Sequence, residues 1–495
     1  MELNEIKEKL LKLSDIEKKE RKEVKRDYLF YQGKSFDLEA AKSNDDLLGQ
    51  NWKSGDNVDY TPTQDIRNKV KPLLKKQSRF MFGKEPTLTF KPDNLDDKEI
   101  CDELRLFIDD ILSFNKFWKK TRKAFLMSTI EKRVLLRAEV NPNSNIRLKY
   151  ERIDNFSYEE YEDELLKVTF FEEDSNNVFA EKDDDKRYIL HTYYYGDKDT
   201  VRYKKDVFNG TELDKPIEST DEDTGLDSIP CWLIKNGGEL DEDFGESDIR
   251  DLVDPQNQYN RKISDAADAL KFQMFGSTSV IDGDEEDVNN LIIAPGAVHA
   301  IKTKNEAAEN GKQASYSINE YSMQSLNALN EYLNRAEDDM RFALDMPSIK
   351  DLNNIPSAKA MRYLNNDLIA RCEEKWSDWG PILESLIEFL VDKSDIAYKK
   401  LFNKQWKSLN YTIDFKHNYP LPSDEEESKK LAMDEVKNRV RSVKSYIEDF
   451  AKDEDSKKSF SEIIEEVKAL TEAETSDSFQ MGLDGELNND GGLNE

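Results

Sequence analysis

The side chains that could move a proton, hold a metal or attack a carbonyl here are three histidines, three cysteines and 104 carboxylates. His191, His299 and His417 fall in three separate strand-like segments. None has neighbours in sequence that complete a catalytic or metal-binding set, so each reads as an ordinary sheet residue. Cys101, Cys231 and Cys372 are odd in number, far apart and without Cys-x-x-Cys spacing. That pattern suggests neither a disulfide framework nor a zinc site, and a reducing cytoplasm is the expected place of synthesis. Carboxylates are so abundant that no single pair is diagnostic. Gly33-Lys-Ser35 ends like a phosphate-binding loop, but Tyr28 stands where the earlier glycine belongs. Asp282-Gly-Asp-Glu-Glu-Asp287 has the composition of a calcium loop, with Asp287 in place of the turn glycine and Ile293 in place of the bidentate acid. A solvated acidic turn is expected there, and no catalytic residue, cofactor or metal is predicted.

The balance of charge narrows the partners. A formal charge of −31 over 495 residues argues against generic affinity for DNA or an anionic membrane, because such binding draws on clustered Lys and Arg releasing counterions. Hydrophobic residues make up 37 %, enough for real cores under a heavily charged surface. The segment from Met1 to Glu8 lacks the apolar centre of a secretory signal, and the longest uncharged run, Val288–Ile301, is too short to span a bilayer. No export and no membrane span are expected.

The elements that must position any site centre on residues 247–393. A lead-in turn and a helix from about Pro255 to Phe272 follow from Asp254-Pro255, an N-cap and a first-position proline. Its seam runs Ile249, Leu252, Gln256, Tyr259, Ile263, Ala266 and Leu270, with Gln256 the one polar member. A second helix, about Glu320–Asp345, repeats the rhythm with Leu326, Leu329, Leu333, Ala336, Met340 and Ala343. Between them a small β or α/β insert carries apolar runs that include Ile281, Leu291, Ile292, Ile293, Val298 and Ile301. Met346–Pro356 reads as a loop bounded by prolines, and a third helix opens at Ser357 and should bend or break at Gly380-Pro381.

Before this centre, a helix is expected from Leu3 through Ile16 into the charged run ending at Lys25, then the Tyr28–Tyr31 aromatic cluster. Helices at about Gln64–Phe82 and Glu99–Thr129 follow, separated by an extended Thr87–Phe90. Alternation over 131–209 predicts an antiparallel sheet, then an acidic linker at Lys215–Ser228 and a strand at Ile229–Ile234. A strand at Leu409–Phe415, helices over Pro420–Leu470 and a disordered acidic tail complete an α+β, helix-rich chain. The aromatic stripes at Phe107–Phe125 and at Trp376 and Trp379 read as core, because few cations interleave with them.

The order of these elements resembles the portal proteins of tailed bacteriophages, in particular the large portal family of phages of Gram-positive bacteria. The likeness rests on Tyr28–Gly33, on Asn68–Pro86 with its Phe82-Gly-Lys-Glu-Pro ending, on Ile229-Pro230, on Gly245-Glu-Ser-Asp-Ile249 and on Pro356-Ser-Ala-Lys-Ala360. It implies a ring, dodecameric in the capsid, at the unique capsid vertex. Through that ring a terminase motor packages the genome, which is retained and later ejected. Residues 1–246 would be the wing, 247–272 and 320–346 the stem helices, and 273–319 the clip. The tunnel loop would be 347–356, with Ser348, Lys350, Asp351, Asn353 and Asn354 as its channel-loop residues. Residues 357–418 would supply a long kinked helix and a wing strand, 419–471 a helical crown and 472–495 the tail. The implied partners are further copies of this chain along the stem seam, duplex DNA, the terminase large subunit, a head-tail adaptor, and the major capsid and scaffolding proteins. Assembly would occur in the host cytoplasm. The other readings are a non-channel structural coiled coil and a metal-dependent nuclease built from dispersed acids.

Overall fold

In a computed structural model of the chain, the first expected helix is two, α1 (Leu3–Leu10) and α2 (Asp15–Tyr31). The first ends at Leu10 before a turn with Lys12 at φ 53°, and Ser14 caps the second in a reciprocal capping box with Glu17. The break turns the apolar line, leaving Ile16 70 % exposed. The structure describes residues 3–35, 63–162, 164–180, 182, 185–196, 200–238, 243–274, 277–290, 301–319, 326–348, 358–421, 425–450 and 463–468. Two compact units separate, Met1–Asn354 with Leu364–Pro420, and Ile355–Tyr363 with Leu421–Glu495. The expected acidic tail at 472–495 and the proposed helix start at Ser357 lie outside the described residues.

In the first unit the helix expected from Gln64 begins only at Val70 as α3 (Val70–Phe82), because the backbone of 63–69 is engaged elsewhere. Asn68 ties its start to the end of α2, donating to the Tyr31 carbonyl at 2.8 Å and lying against Gly33, whose φ of +87° admits no bulkier residue. Strand β1 (Thr87–Pro92) follows. The helix expected over Glu99–Thr129 is likewise two, α4 (Lys98–Phe114) and α5 (Phe117–Glu131). Between them Asn115 donates to the Ile111 and Ile146 carbonyls and accepts from Leu148 N–H, so its side chain ends one helix by bonding a strand. Phe117, Phe125 and Trp379 are core as expected, whereas Phe114 is 61 % exposed at that break.

Two antiparallel sheets follow. One is ordered β3 (Asn145–Arg152), β2 (Arg133–Asn141), β9 (Cys231–Lys235). The other runs in sequence through β4 (Phe156–Tyr161), β5 (Glu164–Glu173), β6 (Arg187–Tyr195), β7 (Val201–Asn209) and β8 (Glu218–Asp223). Phe170 and Val168 of β5 join Leu135, Phe156 and Val24 in one core, while Phe171, Leu190 and Phe208 pack under α1 on the opposite face. The stretch read as an acidic linker contains β8. It has no apolar alternation because it is an exposed edge strand held by charge: Asp221 takes Arg202 at 2.9 Å and the Tyr194 hydroxyl at 2.7 Å. Inside, Arg133 meets Glu20 at 2.7 Å, joining α2 to β2 as a buried pair.

The chain then forms α6 (Val253–Met274), β10 (Ser277–Ile281), α7 (Glu285–Asn289), α8 (Asn305–Glu309), β11 (Ser315–Asn319) and α9 (Leu326–Phe342). A long helix, Asn366–Ala397, runs unbroken through Gly380-Pro381; the break falls instead at Asn365, after a short helix Ala358–Leu364. Gly380 leaves room for the Trp376 indole, which a β-carbon there would meet at 2.9 Å. Strand β12 (Tyr411–Lys416) returns to pair antiparallel with β1. In the second unit, helices Glu425–Lys437 and Val443–Phe450 pack together and bury Ala432 and Ile447.

Asp27 of α2 gives a pH test of this packing. It is 1 % exposed, and burial outweighs Arg26 and Ser247 to push its carboxyl up to about 6. An acid whose folded value is raised favours folding while protonated, so this stability is complete below the unfolded value near 3.8 and is lost as pH rises through about 6. Asp27→Asn should remove up to about 3 kcal/mol of that loss. Denaturant melts from pH 4 to 7 should show a flatter profile for the variant and a higher midpoint at pH 7.

Candidate functional site

At the root of α6 a single carboxylate gathers four parts of the first unit. Asp248 accepts from Lys375 at 2.9 Å and from Asn236 at 3.1 Å on one oxygen, and from Gln77 at 3.0 Å and Arg371 at 3.3 Å on the other. Its backbone N–H donates to the Thr129 carbonyl. Burial alone would raise this carboxyl, but Lys375 and then Arg371 outweigh it and hold it below the usual range. Arg371 also reaches Asp345 at 3.0 Å, just past the end of α9, so one guanidinium bridges the beginning of the first long helix and the end of the second.

Above that root, α6 is held by polar groups. Gln256, Asn260, Ser264 and Asp268, four residues apart, are all nearly fully buried. They accept in turn from the backbone N–H groups of Lys69 at 2.8 Å, Arg67 at 3.1 Å, Asp65 at 2.9 Å and Thr63 at 3.1 Å. The spacing matches for a geometric reason. Four residues of helix rise about 6 Å, close to the roughly 6.6 Å spanned by two residues of extended chain, so alternate amides meet successive turns. Gln256 also donates to the Arg67 carbonyl at 3.0 Å. Segment 63–69 therefore lies as a strap along α6, which is why it does not join α3.

Helix α9 packs on α6, with the Tyr332 hydroxyl donating to Gln258 at 3.0 Å and Glu337 pairing with Lys69 of the strap at 2.9 Å. Apolar burial along the pair is graded. Ile249, Leu252, Tyr259, Met340 and Leu344 are buried, Ile263, Leu329 and Leu333 are half-buried, and Leu270 is 45 % and Phe342 60 % exposed. The side chain of Leu326 lies outside the described residues.

The insert beyond is a hairpin of β10 on β11 with α7 and α8. Val280, Val288 and Ile301 converge on Gly283, where a β-carbon would lie 2.6 Å from Val280. The acidic turn is ordered by its own backbone, Asp284 N–H donating to the Lys302 carbonyl and Asp287 accepting from Lys302 N–H. Ile281 is 60 % exposed. Leu291, Ile292, Ile293 and Val298 lie outside the described residues, as do His299, Lys350, Asp351, Asn353 and Asn354; Ser348 is buried. His191 of β6 contacts Tyr203 and Glu172, and His417 meets the Met81 carbonyl. No group of three or more His, Cys, Asp or Glu able to hold a metal occurs among the described residues, and no described helix is long and apolar enough to cross a membrane.

Residues 10–476 match the family described as phage portal protein, SPP1 Gp6-like. The chain belongs to that family. This portal protein is therefore a component of the phage capsid and of its head-to-tail connection, and its family is structural rather than enzymatic. Among solved structures, a chain from the neck of a native GTA particle computed with C12 symmetry is 11 % identical at a TM-score of 0.40, covering 76 % of this chain and 87 % of that one. A likeness that weak carries no weight here. No curated protein matches.

The strap and the Asp248 cluster were not foreseen. Gln256 stood out as polar on an apolar line, but the four-residue repeat it begins was a visible signal that only a neighbouring backbone explains. Two outcomes follow for the purified portal protein. Asp248→Ala, which leaves Lys375 and Arg371 facing an empty buried space, should lower unfolding free energy by about 3–5 kcal/mol in denaturant titrations. Asn260→Leu, which strands the Arg67 amide, should cost about 1–3 kcal/mol and abolish hydrogen-exchange protection at Arg67.

Proposed function

We propose that this portal protein is the subunit of a closed ring through which duplex DNA is packaged, retained and ejected. The observation that carries this reading is the family match over residues 10–476. The graded stem supports it. Leu270 and Phe342 leave apolar surface that α6 and α9 do not cover, and identical copies around an axis would cover it by heterologous contacts that close. The charge of −31 suits walls that must let phosphate slide without gripping it.

On this reading residues 1–246 with β12 form the wing, α6 and α9 the stem, 273–319 the clip and 347–356 the tunnel loop. Residues 357–418 would lead from that loop back to the wing, and 419–471 would be the crown. The clip would meet the terminase large subunit during filling and the head-tail adaptor afterwards. The wing and crown would face the capsid and scaffolding proteins. Lys350 would touch passing phosphates while Asp351 limits its hold. Assembly would take place in the host cytoplasm before the ring reaches its capsid vertex.

Imaging of the purified full chain should show annular particles with a central hole, and a compact monomer at high concentration would refute the ring. Lys350→Ala should reduce DNA filling or retention in a packaging assay. Deletion of 280–310 should leave rings that neither package nor accept tails; normal packaging by that deletion would show that the clip lies elsewhere.

A further inference from the structure

Between its two sheets the first unit holds a cavity of about 930 Å³, the upper end of the size that takes small organic ligands. Its charge runs against the rest of the chain. One wall carries Lys116 and Lys120 from the start of α5, and Arg147 and Lys149 from β3. The Lys120 ammonium is lowered first by burial, then by Lys149 and Lys116; it donates to the Leu148 carbonyl at 2.7 Å, and Lys149 pairs with Glu151 at 2.9 Å. Arg147 lies directly across from Glu139 in the β2–β3 ladder, but Glu139 is taken by Arg137 at 2.9 Å. Lys116 and Arg147 make no ion pair among the described residues, which leaves them open to an added anion.

Another wall is aromatic. The rings of Tyr193 and Tyr203 lie 5.1 Å apart, and His191 stacks on Tyr203 at 6.0 Å. His191 is fixed on both sides, its Nδ1 2.6 Å from the Tyr203 hydroxyl and its Nε2 3.2 Å from Glu172. Glu222 also lines the cavity and acts on Tyr203, so this side offers a carboxylate beside rings while the other offers cations. Inorganic phosphate would fill a small part of the space and leave the aromatic wall unused. A molecule with a polyanionic end and a flat end bearing amino groups would use both walls.

We propose that this cavity binds a nucleoside phosphate, with its phosphates against Lys116, Lys120 and Arg147 and its base against Tyr193 and Tyr203. The site requires nothing of the ring and goes beyond the portal reading. It assigns binding only, with no bond made or broken.

Calorimetric titration of the full chain with ATP, adenosine and inorganic phosphate tests this. ATP should bind saturably and more tightly than either fragment. Lys116→Glu combined with Arg147→Glu, both at exposed positions, should weaken ATP by at least about tenfold and leave adenosine unchanged. Tyr203→Leu should weaken ATP and adenosine alike but not phosphate, with circular dichroism confirming that each variant is folded. Absence of saturable ATP binding to the parent chain, equal ATP affinity in the charge-reversed variant, or phosphate binding as tightly as ATP would overturn the assignment.

Discussion

A carboxylate removed from water sits just before α6 begins, and the first unit is arranged to keep it ionised. Asp248 would be costly to bury alone, since desolvation of a charge amounts to several kcal/mol even after relaxation. Lys375 and Arg371 from the long helix, Gln77 from α3 and Asn236 beyond β9 all converge on it. The consequence is mechanical. Sliding α6 at its root would strip partners from a buried charge, and Arg371 ties that root to Asp345 at the end of α9.

The polar ladder continues the same logic by different chemistry. Apolar side chains tolerate small slippage along a seam, whereas hydrogen bonds at alternate amides of the strap fit α6 in one register. Burial of Gln256, Asn260, Ser264 and Asp268 contributes little hydrophobic free energy, but it satisfies backbone groups that would otherwise be stranded. Farther along, Leu270 retains apolar surface, and Phe342, back beside the root, is also left open. The α6–α9 pair is thus fixed by buried polar contacts at the root of α6 and leaves Leu270 exposed toward its other end.

Charge is distributed on the same division of labour. Carboxylates dominate the chain, and even the β8 edge strand is acidic, which discourages pairing of that edge with its own kind. A few cations pair with buried carboxylates: Arg133 with Glu20, Arg152 with Glu131, Lys375 with Asp248. The cavity beside β3 departs from this pattern, since Lys116, Lys120, Arg147 and Lys149 line one side of it.

Periodicity alone identified α6, α9, the long helix after the loop and most strands of the two sheets, because amphipathic spacing records which face is buried. The order of elements also carried the family. Other features depended on partners distant in sequence. The split at Asn115 needs the backbone of β3, and the late start of α3 needs the side chains of α6, some 190 residues away. The β8 strand shows no alternation because its pairing rests on Arg202 and the edge of β7. Pro381 reads as a breaker locally, yet the helix around it continues, with the Gly380 backbone and the Trp376 indole close-packed at that point. Hydrophobic pattern is a property of one segment and is written in it; the satisfaction of buried polar groups belongs to pairs of segments, and only the folded chain brings those pairs together.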